Sequence, residues 1–435
     1  MIKVIKFGGS SVATDEMFKR IKAIVEADPK RKIVVVSALG KRQSSDAKIT
    51  DLLYLLKAHI QYGVDYSTIL DKIKERYVEI RNRLGLKVDV EKEFDNIENV
   101  VKNDCNEEFI VSRGEYLCAK LMADYLGYDF VDAKDLFFFD YNGKINQKKT
   151  DKAIAKAYKG NGMVVPGFYG SYPNGQIKLF SRGGSDITGS LLARGVNAEL
   201  YENWTDVSGI LMADPKIVEN PKRIAEITYD ELRELSYMGA KVLHEETVFP
   251  ITEMNIPIRI LNTNRPQDEG TLISKNCSAG GEIITGIAGK KGFTSLTVFE
   301  TRGSKKVDAL NSVLEVFKNY RIDVEQISAG IDSFSLIVEK SELEKCLYEL
   351  INDLKSLETV EKVTIDDDIA LVAVVGRNMV LKPGISGKIF AVFGEAKINI
   401  KAIAQDTQEL SIIVGVSNND FNNAINAVYN KIVKN

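Results

Sequence analysis

Five short stretches of this chain combine residue types that can do chemistry together. The first is KFGGSS, where Lys6 closes an apolar strand and Gly8, Gly9 and Ser10 follow it. Adjacent glycines let backbone N–H groups approach a phosphate, and a helix N-terminus behind them adds a favourable dipole. Lys6 would then set a positive charge against a phosphoryl group in transit. The same residues would also make a tight strand–helix turn with a solvated lysine. No GK[ST] follows and no GxGxxG is completed, so neither a P-loop nor a dinucleotide fingerprint is present.

The second stretch, FSRGGSDITGSLLA, sets Arg182 beside two glycines and places Ser185 and Asp186 at the start of a helical pattern. Ser and Asp are favoured helix caps, whereas a guanidinium beside glycines can fork onto a ligand carboxylate. The third, SRGEYLCAKLM, opens an amphipathic helix with Glu115, whose ordinary role there is to complement the helix dipole. The fourth, YENWTDVSGILMADPK, runs a strand into Thr205 and Asp206 and reaches Asp214-Pro215-Lys216 at a turn. Trp204, the single tryptophan, reads as packing. The fifth, MGAKVLHEE, puts Lys241 late in a helix, where a lysine suits the C-terminal dipole.

Composition argues against several rival chemistries. Two histidines, His59 and His244, leave little for Ser-His-Asp catalysis or imidazole zinc sites. His59 reads as a satisfied surface or boundary residue. Cys105, Cys118, Cys277 and Cys346 lie far apart with no C-x-x-C pair, against a disulfide framework or a cysteine zinc site. With 58 Lys and Arg against 61 Asp and Glu, nothing demands a nucleic acid or a membrane as partner. No signal peptide is expected at the N-terminus and no segment reaches the length of a membrane span, so a cytoplasmic protein is expected.

The elements that must position these residues follow from periodicity. VIKF and KIVVVSAL read as buried strands flanking the helix DEMFKRIKAIVEA, and a helical stretch covers roughly 50–127. GMVVPGF, ELYENW and PIRILNT continue as strands, with helices at TDKAIAKAYK, ITGSLLARGV and TYDELRELSYMGAKVLH between them. This alternation predicts an α/β fold with a mostly parallel, buried sheet. The acidic run DVEKEFDNIENVVKNDCNEE reads as a solvated helix face. At 435 residues, two or three domains are expected, and CSAGGEI reads as a hinge between them. Beyond it the pattern β-α-β-β-α-β occurs, then begins again and lacks its last strand. EIITGIAGKK, upstream of the first copy, is a candidate for that strand. The expected domains are therefore 1–278 and 279–435. In the latter, a first unit at about 294–367 is inserted into a second built from about 280–293 and 368–435.

In order and spacing, KFGGSSVA, SRGE, SRGGSD, WTDVSGI with DP, and GAKVLH together resemble the aspartate kinases, a branch of the amino acid kinase family. The twin C-terminal units resemble ACT domains. The resemblance spans essentially the whole chain. It implies an amino acid kinase-like, mostly parallel sheet sandwich followed by two ferredoxin-like units. The reaction implied is transfer of the γ-phosphoryl of MgATP to the side-chain carboxylate of L-aspartate, giving 4-phospho-L-aspartate, the first step towards lysine, threonine and methionine. A carboxylate is already anionic at pH 7 and needs no general base. Positioning and charge neutralisation then carry catalysis.

By the same resemblance, Lys6 neutralises the transferring phosphoryl, Asp186 holds that lysine, and Gly8, Gly9 and Ser10 belong to the phosphate loop, the two glycines giving backbone donors. Arg182 would clamp the α-carboxylate of aspartate and Glu115 would accept from its α-ammonium. Ser37, Thr50 and Ser185 match substrate-side positions. Thr205, Asp206, Asp214, Lys216 and Lys241 match positions around the nucleotide, and Mg2+ is expected to arrive with ATP rather than on protein ligands. Two departures stand out. Lys216 replaces the arginine of the family's usual T-D-P-R and loses its planar fork, and the loop GKRQSSDAKIT is longer and more charged than the usual A-G-x-T-N. The ACT pair implies feedback by a small amino acid. Lysine is favoured over threonine because the chain, ending at 435, leaves no room for a homoserine dehydrogenase domain. Its pocket is expected at the DALNS turn (Ala309, Leu310, Asn311, Ser312) and in RIDVEQISAG (Asp323, Glu325, Ser328). A homo-oligomer, dimer or tetramer, through the ACT units is also expected. Rival readings are another acceptor, such as acetylglutamate or UMP, and an inactive amino acid sensor.

Overall fold

The structure is a computed structural model that describes residues 2–103, 107–181, 183–240, 243, 245–278, 282–380, 382–405 and 410–434. The chain forms two compact units. The first comprises Met1–Ile210, Arg223–Tyr229 and Val242–Ser278, and the second Leu211–Lys222, Asp230–Lys241 and Ala279–Asn435.

The first unit is built on β1 (Lys3–Phe7), β2 (Arg31–Val36), β3 (Asp129–Phe130), β4 (Met163–Pro166), β7 (Leu200–Thr205), β8 (Glu226–Thr228), β9 (Ile258–Asn262) and β10 (Thr271–Ser274). A separate hairpin joins β5 (Tyr169–Ser171) to β6 (Ile177–Leu179). The sheet order is β3-β4-β2-β1-β7-β9-β10-β8, parallel throughout except where β10 runs against β9. β1 and β2 each end in four consecutive buried residues, as a sheet covered on both faces requires.

On one face, Ile5, Phe7, Val34 and Val36 share a core with α1 (Asp15–Glu26), α2 (Ile49–Gln61), α3 (Ser67–Leu84), α4 (Val90–Asn103) and α5 (Glu107–Leu126). The acidic run is indeed amphipathic, because α4 buries Val90, Phe94, Ile97 and Val101 in that core. The other face carries α7 (Gly184–Gly195), flanked by α6 (Gln147–Ala157) and α9 (Glu245–Thr252). Trp204 is core, stacked on Phe7 at 6.1 Å.

One helix is shorter than its pattern predicts. α8 (Tyr229–Tyr237) stops before the GAKVLH motif rather than running through it. Gly239 takes the left-handed conformation at φ 97°, and the amides of Gly239 and Ala240 return to the carbonyls of Ser236 and Leu235. That is the usual way a glycine closes a helix. Lys241 and His244 lie outside the described residues.

The second unit holds β11 (Gly286–Glu300), α10 (Lys306–Tyr320), β12 (Gln326–Ala329), β13 (Ser333–Glu339), α11 (Lys340–Leu343), α12 (Leu347–Ser356) and β14 (Val360–Val375). α13 (Ile385–Glu395), β15 (Ala402–Gln405), β16 (Ser411–Val416) and α14 (Phe421–Val428) complete it. Its sheet order is β12-β13-β11-β14-β16-β15. β11 and β14 pair along nearly their whole length, with register shifts around Phe293. β13 joins the Phe293–Phe299 part of β11, and β16 joins the Ala370–Val375 part of β14. Stretches that read as four separate strands are thus two long ones, each shared by both halves of the sheet.

Candidate active site

Lys6 sits near the C-terminal end of β1, level with Val35 of β2 and Asn203 of β7. Ile5 and Phe7 point into the α1–α5 core, so Lys6 points the other way, towards α7. There its Nζ lies 2.5 Å from Asp186 Oδ1 and 3.4 Å from Asn203 Oδ1. Asn203 Nδ2 donates to the same Asp186 oxygen at 3.0 Å. The lysine is buried, so its charge needs these partners when no anion is bound.

Gly8 serves differently from the expectation. Its amide donates to the Trp204 carbonyl at 3.2 Å and is therefore not free for a phosphate. A Cβ there would make only ordinary contact with Lys6 Nζ, at 3.7 Å. Gly9 accepts from the Gly40 amide at 2.9 Å, and Ser10 is exposed on the following 3-10 turn.

Ser37, just past β2, donates through its hydroxyl to Ser185 Oγ at 2.9 Å. Ser185 and Asp186 lie in the first turn of α7. Thr50 stands in the first turn of α2, whose start is tied by the Ile49 amide to the Leu39 carbonyl at 3.1 Å. Glu115 is buried in α5. It accepts from the Ala38 amide, while its Oε2 has no hydrogen-bond partner. Burial pushes its carboxyl up to about 8, against the pull of the Ala38 amide and the Arg113 guanidinium. Thr205 closes β7 and its hydroxyl donates to Oδ1 of the following Asp206 at 3.2 Å.

The structure thus brings together Lys6, Asp186 and Gly8, and links Ser37 to Ser185. Asp214 and Lys216 belong to the segment that packs with the second unit, where the Lys216 amide donates to Asp214 Oδ1 at 2.8 Å. Arg182, like Lys241, lies outside the described residues. Sequence reasoning missed Asn203, although a polar residue inside the buried strand ELYENW, two residues past Tyr201 on the same face, was a usable signal. His59, read as satisfied, bonds the Asp65 carbonyl through Nδ1 at 2.8 Å.

The effector stretch departs from its description as a turn. DALNS lies inside α10, where Ala309 is in the hydrophobic core and lines no surface. A helix buries one residue in each turn this way when its apolar side packs on a sheet. Asn311 is exposed and the Ser312 hydroxyl bonds back to the Asp308 carbonyl at 2.8 Å. The Asp323 amide donates to Glu342 Oε2 at 2.9 Å, and the Gln326 amide group donates to Ser328 Oγ at 3.2 Å. Glu325 shares a hydrogen bond with the Tyr237 hydroxyl.

The model of the amino acid kinase family matches residues 1–262, and that of an ACT domain matches residues 372–432. The chain belongs to the amino acid kinase family. Aspartokinase 3 of Bacillus subtilis (strain 168) is 34% identical over 447 residues, 98% of each chain. The crystal structure of Clostridium acetobutylicum aspartate kinase, an allosteric enzyme, has a TM-score of 0.94 at 44% identity, covering 99% of this chain and 100% of that one. E. coli aspartokinase III in complex with lysine and aspartate gives 0.73 at 25% identity, covering 99% of each. Within its family the chain is thus an enzyme of the aspartokinase branch.

Proposed function

We propose that the chain transfers the γ-phosphoryl of ATP to the side-chain carboxylate of L-aspartate. The bond between the γ-phosphorus and the β,γ-bridging oxygen breaks as one to a carboxylate oxygen forms, and ADP leaves. The observation that carries this reading is the buried Lys6 ammonium, held by Asp186 and Asn203. A fixed cation in a dry site stabilises charge on the transferring group without reorganising. Glu115 accepts the α-ammonium on its unpartnered oxygen, and Ser37 and Ser185 stand on the substrate side. The roles of Arg182, Thr50, Thr205, Asp206, Asp214, Lys216 and Lys241 rest on the resemblance.

Among the described residues no group of three His, Cys, Asp or Glu side chains could hold a metal ion. As the resemblance implies, Mg2+ would arrive on the nucleotide phosphates, where it would neutralise their charge. In this reading the catalytic sequence runs over 1–278 and the ACT pair over 279–435, the first ACT unit inserted into the second, although Leu211–Lys222 and Asp230–Lys241 of the former group with the second compact unit. The pair serves as a sensor for lysine, with threonine the alternative, as the lysine complex of E. coli aspartokinase III supports, and it holds the chain in a homo-oligomer. Product would feed lysine, threonine and methionine synthesis. Incubation with MgATP, L-aspartate and hydroxylamine should yield ADP and aspartyl hydroxamate in equal amounts. Succinate, which lacks the α-amine, should be a poor acceptor. Absence of the hydroxamate would remove the proposal.

A further inference from the structure

Helix α3 carries a buried arginine that phosphoryl transfer leaves unused. Arg76 is only 5% exposed. Its NH2 group donates to the carbonyls of Gly40 at 2.8 Å and Ala13 at 3.4 Å. Its NH1 group donates to Asp46 Oδ2 at 3.0 Å and to the Ala47 carbonyl at 3.4 Å. One guanidinium thus ties three backbone segments: the end of the turn that begins at Gly8, and Gly40 and Ala47 in the loop between β2 and α2.

These segments also touch each other. A Cβ at Gly40 would fall 2.5 Å from the Gly9 carbonyl oxygen, so the two backbones cross with no room for a side chain. Ser37 and Ala38 open the same loop, and the Ala38 amide is the hydrogen-bond partner of Glu115. The next residue of α3, Tyr77, donates to the Gly114 carbonyl at 2.9 Å and so fixes the other flank of Glu115. One and two turns further along α3, Glu79 meets Arg42 of the loop at 3.0 Å, and Arg83 meets Asp15 of α1 at 3.1 Å. A buried guanidinium is costly to desolvate, and apolar packing would hold a helix in place at less cost. Its flat fork of N–H donors is suited to gathering several carbonyls into one geometry.

We propose that Arg76 is a positioning residue for aspartate binding. It holds the loop after β2 so that the Ser37 hydroxyl and the Ala38 amide stand ready beside Ser185 and Glu115 when the acid arrives. The inference rests on the reading of Ser37 and Glu115 as substrate-side residues. Lysine at this position keeps the charge but cannot fork onto carbonyls on both sides.

The test is steady-state kinetics of the full chain for wild type, Arg76→Lys and Asp46→Asn, with thermal midpoints measured in parallel. Arg76→Lys should raise the KM for aspartate about tenfold while the KM for ATP stays within about twofold and the midpoint stays near wild type. Asp46→Asn should move the same constant in the same direction by less. Loosening the Ala38 amide should also shift the pH at which kcat/KM for aspartate rises to higher values, because that amide pulls the Glu115 carboxyl down. Arg113, Tyr77 and Cys118, the other titratable groups facing Glu115, are untouched by these variants. A folded Arg76→Lys chain with the wild-type KM for aspartate, or with both KM values raised equally, overturns the proposal. Should that variant not fold, an unchanged KM for aspartate in Asp46→Asn overturns it. A wild-type chain that shows no aspartate-dependent turnover defeats the underlying reading and this inference with it. Normal wild-type turnover with unaffected variants defeats the inference alone.

Discussion

Lys6 and Asp186 lie close enough to act as one unit. Asp186→Asn keeps the shape but removes the charge that fixes the ammonium, so kcat should fall on the order of 10²-fold. Rapid-quench measurement of ADP formation checks this. On the proposed reading, Glu115 sets the pH response. Its folded-state value, about 8, is raised by burial above its ordinary 4.5. In the free protein the burial penalty on the carboxylate is therefore absent at low pH, grows as pH climbs from the ordinary carboxylate range towards 8, and is constant above that. On that reading, the α-ammonium of aspartate needs the ionised form. The expected profile of kcat/KM for aspartate rises with pH and levels off above about 8. Glu115→Gln should give a lower and flatter profile, and a wild-type profile that falls across this range would exclude the role.

At the scale of elements, the site depends on how closely α7 lies on the sheet. A Cβ on Gly189 would meet the Tyr201 hydroxyl at 2.5 Å and its ring at 2.6 Å, and Tyr201 in turn donates to the Asp186 carbonyl at 3.2 Å. Gly189→Ala should cost about 1–3 kcal/mol by overpacking, read by urea unfolding, and should depress kcat by displacing Asp186. How much was legible in the sequence follows the same physics. β1, β2 and β7 were visible because a strand buried on both faces leaves a run of apolar residues, and Lys6 and Asn203 interrupt that run. The end of α8 was not visible, since its apolar periodicity continues past Gly239 and only the left-handed backbone stops it. Arg76 was invisible for another reason. An arginine on a charged helix reads as solvated until a loop distant in sequence folds over it. The continuity of β11 and β14 was hidden likewise, because register shifts at Phe293 look like a chain break in the pattern.

For the whole molecule, the second unit keeps its α8 segment through a buried charge. Glu231 is fully buried, meets Arg377 at 2.7 Å and accepts from Thr285 Oγ1 at 2.5 Å. Arg377→Met removes the guanidinium from that carboxylate while the Thr285 hydroxyl and the amide of residue 377 still donate to it, and should destabilise the chain by up to about 3–5 kcal/mol, measured by denaturant unfolding. If lysine binds the ACT pair and inhibits, linkage requires reciprocity: the factor by which lysine weakens aspartate binding must equal the factor by which aspartate weakens lysine binding. Calorimetric titrations of each ligand with and without the other test this, and a flat response to lysine removes it as the effector. The central claim is that an acceptor already carrying negative charge needs only a fixed cation and oriented donors to meet ATP. Aspartate-dependent ADP release by wild type and Lys6→Met, compared under saturating substrates, tests it most directly. The expected result is a loss on the order of 10²–10³-fold in kcat, and a Lys6→Met chain that matches wild type would contradict it.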